Sequence, residues 1–229
     1  MYHQTKGIVL SKTNYSETSI ICKIYTLDFG VKSYIINGVR KKKGKSIYYQ
    51  PLSLLELTVY HKEKNNLHRI KESKPFYQYQ TLPYEVGKSS IGFFIAEVLQ
   101  KCLKEEEENH SLFTFLSHSL IKLDQEDLNT QYHLEFLLEL SKHLGFYPNT
   151  FNTNHNYFDL INGTFTNHIP SHKHYFKNTR FLVSLIEGKF IEKKEKNFGL
   201  DKLIEYYQLH IEGFNDLKSR DVLETVFNK

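Results

Sequence analysis

Arg40, Lys41, Lys42, Lys43 and Lys45 place five cations within six residues. Such packing costs self-repulsion unless a polyanion or counterions relieve it. Neutralising Z phosphates of a single strand releases condensed counterions, so that log K falls with log salt at a slope of about −0.7Z. Tyr34 precedes the block and Tyr48 and Tyr49 follow it, with Tyr15 and Tyr25 earlier in the chain. Barrels that hold single strands stack bases on aromatic rings while a basic groove follows the backbone. Arg40, Lys41, Lys42, Lys43, Lys45, Tyr34 and Tyr48 are therefore the candidate nucleic-acid contacts. A strand tyrosine also serves as half-buried packing, so the rings admit both readings.

Other chemistry is poorly supported. Gly38 to Ser46 looks like a phosphate-binding loop, but five residues separate Gly38 from Gly44 where that motif has four. The segment also leads towards a strand, whereas a phosphate loop opens a helix. His155, His168, His172 and His174 are of a metal-ligating type, yet the spacing of His172 and His174 does not align them on a helix, and no cysteine lies near. Asp124, Glu126 and Asp127 read as a helix-connecting loop. Cys22 and Cys102 belong to no motif. The sequence predicts no catalytic residue, no metal site and no cofactor.

The elements that position the block change character near residue 80. Five β-rich stretches, 7–11, 18–26, 31–39, 52–61 and 67–72, alternate apolar and polar residues between turn signals. Five strands in about 75 residues without a long helix predict a small closed barrel, the OB-fold ahead of an SH3-like barrel. Prolines bracket a linker over 74–84. Beyond it, Ile91–Leu103, Leu112–Leu123 and Phe136–Leu144 have helical spacing, the third stopped by Gly145 and Pro148. Tyr157 to Thr166 flanks Asn162-Gly163, which predicts a hairpin with a type I′ turn at about 156–166. Helices are expected at about 172–187, 200–213 and from 219. The fold class is α+β: an N-terminal five-stranded barrel over 1–80 and a mostly helical domain over 81–229.

Charge follows the same division. Residues 1–80 hold 14 Lys and Arg against 5 Asp and Glu, and residues 81–229 hold 16 against 21, so +9 and −5 make the net +4. A basic half joined to an acidic one predicts that the first meets a polyanion, with nucleic acid ahead of anionic membrane and a merely solubilising surface as the plain alternative. Hydrophobic residues at 40% and aromatics at 14% exclude a disordered tail. No apolar run reaches the roughly 18 residues of a membrane span. No secretory signal is visible, and the composition reads as soluble and cytoplasmic.

Thr5-Lys6-Gly7-Ile8-Val9-Leu10, Asn14-Tyr15-Ser16-Glu17-Thr18-Ser19, Ile24-Tyr25-Thr26, Gly30 and Gly38-Val39-Arg40-Lys41 resemble the opening of the bacterial RecO family of recombination mediators. Gln50 to Leu57 also fits, and Tyr206 to His210 and Leu217 to Leu223 look like the family's closing helices. The resemblance implies an OB-fold and a non-enzymatic DNA repair and recombination protein. Such a protein binds single- and double-stranded DNA and anneals complementary strands. It contacts the acidic C-terminal tail of the single-stranded-DNA-binding protein, SSB, and with RecR helps load RecA on coated strands. The family's basic loop falls on Arg40, Lys41, Lys42 and Lys43, and Lys45 joins them on charge. Many relatives hold a four-cysteine zinc site in the segment matching roughly 147–175. Cysteine is absent there in this chain, which puts zinc in doubt and leaves the hairpin aromatics to form a small apolar core instead. Two other classes stand beside this reading. One is an RNA-binding or translation-associated OB protein. The other is a metal-dependent nuclease, disfavoured because Glu17, Asp28, Glu56, Glu63 and Glu72 are scattered.

Overall fold

The computed structural model describes residues 1–39, 45–62, 65–104 and 107–227, with the backbone alone of Lys45. The chain packs as two compact units, Met1–Asp127 and Leu128–Lys229. The change from strand to helix near residue 80 therefore lies inside the first unit.

Five strands build the first unit: β1 (Tyr2–Asn14), β2 (Ile20–Thr26), β3 (Gly30–Ile36), β4 (Leu54–Tyr60) and β5 (Leu67–Pro75). They close in the order β1-β2-β3-β5-β4, with β4 returning to β1. Among the described residues only the β3–β5 pair is parallel. This is the OB-fold arrangement. The long β1 pairs with β4 through Tyr2–Ile8 and with β2 through Gly7–Asn14, with a register shift between Val9 and Ser11. A bulge there bends the strand from one partner to the next. Gly7 sits where both pairings meet, and a Cβ on it would lie 2.6 Å from Ile24 Cγ2 and 2.9 Å from Leu57 Cδ1. The inward positions Val9, Ile20, Cys22, Ile24, Tyr34, Ile36, Leu55, Leu57 and Val59 form the barrel core, together with Val39 and Tyr49 from the β3–β4 connection. Burial pushes the Cys22 thiol up to about 12, so it stays protonated at neutral pH.

Helices α1 (Val86–Cys102) and α2 (His110–Gln125) belong to the same unit. The expected linker over 74–84 is not a free tether. Asp124, at the end of α2 and 1% exposed, accepts from the backbone N–H groups of Gln80, Thr81 and Leu82 at 2.7–3.0 Å and from the Tyr77 hydroxyl at 2.8 Å. Lys88 Nζ donates to Thr81 Oγ1 and to the Asp124 carbonyl. Burial raises the Asp124 carboxyl, but the three backbone donors and Tyr77 outweigh it and hold it below the ordinary range. The acidic residue expected in a helix-connecting loop is thus a buried acceptor.

The second unit contains α3 (Tyr132–His143), β6 (Tyr157–Asp159), β7 (Thr164–Thr166), β8 (Tyr175–Lys177), α4 (Arg180–Ile186), α5 (Lys193–His210) and α6 (Ser219–Phe227). The expected hairpin is β6–β7, and β8 adds a third strand in the order β7-β6-β8. Its loop is not a type I′ turn: four residues separate Asp159 from its partner Thr164, and of Asn162 and Gly163 only the glycine has positive φ. Asp159 Oδ1 closes the loop instead, accepting from the N–H groups of Ile161 and Asn162. The helix expected at 172–187 is also corrected. Residues 175–177 extend as β8, Asn178 turns the chain at φ 68°, and α4 begins at Arg180. Among the described residues no helix is long and apolar enough to cross a membrane.

Candidate nucleic-acid interface

A groove of about 970 Å³ is lined by outward residues of β1, β4 and β5, among them Gln4, Lys6, Glu56, Thr58, Glu72 and Lys74, and by the core residues Ile36 and Leu57. Val39 and Tyr49 anchor the β3–β4 connection in the core and line this groove, and the Tyr49 hydroxyl sits 2.6 Å from Ser73 Oγ on β5. In sequence, the five cations lie between these two anchors. Arg40, Lys41, Lys42 and Lys43 fall outside the described residues. Lys45 opens a 3₁₀ turn, Lys45–Tyr49, and its side chain is likewise outside them.

The described lining is electrically balanced. Lys6, Lys71 and Lys74 stand against Asp28, Glu56 and Glu72. Lys74 Nζ lies 2.9 Å from Glu56 Oε2, and this charged hydrogen bond holds the Glu56 carboxyl below its usual range. The described lining therefore carries no net charge of its own.

The two candidate rings part company. Tyr48, on the 3₁₀ turn, lines the groove and is 37% exposed. Tyr34 is corrected: it is 0% exposed inside the barrel, and desolvation drives its hydroxyl well above the ordinary phenol range. Its pairing opposite Cys22 puts it on the inward side of β3, where no base can reach it. Tyr25 is also buried and donates to the Asn109 carbonyl, whereas Tyr15 is 62% exposed on the β1–β2 connection.

A second outward surface was not anticipated. OB barrels also bind ligands on the β2–β3 face and the adjoining loops. Here the register aligns Ser11, Lys23, Ser33 and Leu67 in one row, and Thr13, Ile21, Ile35 and Arg69 in the next. Lys23 and Arg69 are exposed. Strand parity was the signal that could have found them.

The histidines considered for a metal do not converge. His172 Nε2 lies 3.3 Å from Asp159 Oδ2, and His174 Nδ1 lies 3.0 Å from Glu205 Oε1, which shares its other oxygen with Lys202. His155 Nδ1 faces the Phe165 carbonyl, and His168 is exposed. Among the described residues no group of three or more His, Cys, Asp or Glu could hold a metal ion. Phe158 instead packs against Phe165, Phe176 and Tyr206 with centroids 5.0–5.9 Å apart.

Residues 1–79 match the family model described as Recombination protein O N terminal, and residues 84–221 match Recombination protein O C terminal. A DNA repair protein RecO of Flavobacterium psychrophilum is 38% identical over 238 residues, covering 100% of both chains. One of Phocaeicola vulgatus is 38% identical over 241 residues, and one of Flavobacterium johnsoniae 37% over 237, again with 100% of both chains covered. With both halves matched in order around an OB barrel, this chain belongs to the RecO family of DNA repair proteins.

Proposed function

We propose that this protein is a non-enzymatic recombination mediator. It binds single- and double-stranded DNA and anneals complementary strands. With RecR it helps load RecA on strands coated with SSB, whose C-terminal tail it contacts. The observation that carries the reading is electrostatic: a charge-balanced groove whose connection carries Arg40, Lys41, Lys42, Lys43 and Lys45 between two core anchors.

Annealing brings two like-charged strands together while their bases stay free to pair. A basic surface lowers that repulsion, and contact through phosphates leaves the base edges unread. Arg40, Lys41, Lys42, Lys43 and Lys45 supply the charge in this reading, and Tyr48 at the groove wall supplies a stacking face. The hairpin region works without zinc, the Phe158 cluster taking the place of a metal as the centre of the small sheet.

The test is annealing of complementary oligonucleotides without ATP or magnesium, comparing the protein with a variant carrying alanine at 40–43. Acceleration by the first and not by the second supports the reading. Equal competition by matched RNA would make it a general OB-type nucleic-acid binder, and magnesium-dependent cleavage would make it a nuclease.

A further inference from the structure

The barrel register gathers five side chains that the basic block does not include. Tyr2 of β1 lies opposite Tyr60 of β4, and Tyr60 lies opposite Arg69 of β5. All three point outward, since their neighbours Val59 and His68 are buried. The two rings meet edge to face with centroids 5.5 Å apart. Lys71 Nζ stands 4.8 Å from the Tyr2 centroid, and Lys62 Nζ stands 5.4 Å from that of Tyr60. Tyr2 remains 56% exposed, and Lys62, Arg69 and Lys71 are exposed.

Charge sets this patch apart from the groove beside it, with which it shares Lys71. Lys74 is neutralised by Glu56. Lys62, Arg69 and Lys71 make no ion pair among the described residues. An exposed Tyr2 against a half-buried Tyr60, flanked by three cations without an ion pair among the described residues, leaves both wetted ring surface and like-charge repulsion to be relieved. Stacked bases relieve the first and phosphates the second. A folded acidic protein would relieve only the second. Arg69 also lies opposite Ile35 on β3, so the outward row continues from the tyrosines towards the β2–β3 face.

We infer that Tyr2 and Tyr60, with Lys62, Arg69 and Lys71, form a second contact surface for single-stranded nucleic acid, with bases stacked on the two rings and phosphates held by the three cations. The inference rests on the nucleic-acid reading above and extends it. The basic block holds a strand through charge, whereas this patch holds one through its bases. Two surfaces on one barrel let a single chain engage two strands.

The test uses the full chain, a labelled oligothymidylate and an abasic oligonucleotide of the same length, in fluorescence polarisation. The protein should favour the base-bearing strand by on the order of tenfold per ring. Tyr2→Ala with Tyr60→Ala should abolish that preference while leaving affinity for the abasic strand intact. Tyr2→Phe with Tyr60→Phe should restore it. Equal binding of the two strands by the unaltered protein, or a preference that survives both alanines, overturns the inference. Failure to bind either strand would instead overturn the nucleic-acid reading itself. If the double alanine variant does not give a cooperative melt, Tyr2→Ala alone, at the exposed end of β1, carries the same comparison.

Discussion

Replacing Arg40, Lys41, Lys42 and Lys43 with alanine isolates the contribution of the basic block proposed to hold the phosphates. Because the described lining balances three lysines against three carboxylates, the block should add its own share of salt dependence to that of Lys62, Arg69 and Lys71. Four phosphate contacts give a slope of about −0.7 × 4, or roughly −2.8, for log K against log salt on a single strand. Over a fourfold rise in salt, from about 50 to 200 mM, that slope corresponds to an approximately fifty-fold loss of affinity. The variant should shed this component and show a slope shallower by up to about 2.8 units, its deficit shrinking as salt rises. A salt titration of polarisation with oligothymidylate measures both. An unchanged slope would refute the reasoning and place the phosphate contacts elsewhere, with Lys23 and Arg69 the next to examine.

Three further expectations concern the stability of the two units. Asp124→Asn exchanges a buried carboxylate with four donors for a neutral amide, which should cost about 3 kcal/mol by urea unfolding. Because the folded carboxyl titrates below its unfolded value near ~4, its contribution is present above that pH and lost as pH falls through the folded value, where the two proteins should converge. Gly7→Ala should lower stability by about 1–3 kcal/mol in thermal melts, since the new methyl overlaps Ile24 and Leu57. Burial, with a smaller contribution from Lys196, depresses His133 to about 3, so the folded second unit binds fewer protons than the unfolded chain between that value and ~6.5. Its stability should therefore fall as pH drops through that window, and His133→Leu should flatten the dependence measured by chemical unfolding.

The barrel was legible because β-branched and aromatic residues alternate over each of its strands, a local signal. Its closure was less so, since the parallel pairing of Tyr34 with His68 joins residues distant in sequence. Proximity along the chain sets Tyr34 beside the block, whereas its parity with Ile36 sets it inside the barrel. Asp124 looked like one acid in a solvated run, and the N–H groups that claim it lie more than forty residues earlier. In the second unit, Phe181, Leu182 and Leu185 carry a true helical period, but it does not reach back over Tyr175-Phe176-Lys177, which alternate as a strand. The candidate site was legible as charge. Which rings and cations share a face with one another required the register, and Tyr2, Tyr60, Lys23 and Arg69 emerged only from it.

The mediator reading stands or falls on the annealing of complementary oligonucleotides that have both been coated with SSB from the same organism, without ATP or magnesium. A mediator should accelerate annealing, and deleting the C-terminal tail of SSB should abolish the acceleration. Absence of acceleration on coated strands, with ordinary oligonucleotide binding intact, would contradict it and leave a general OB-type nucleic-acid binder.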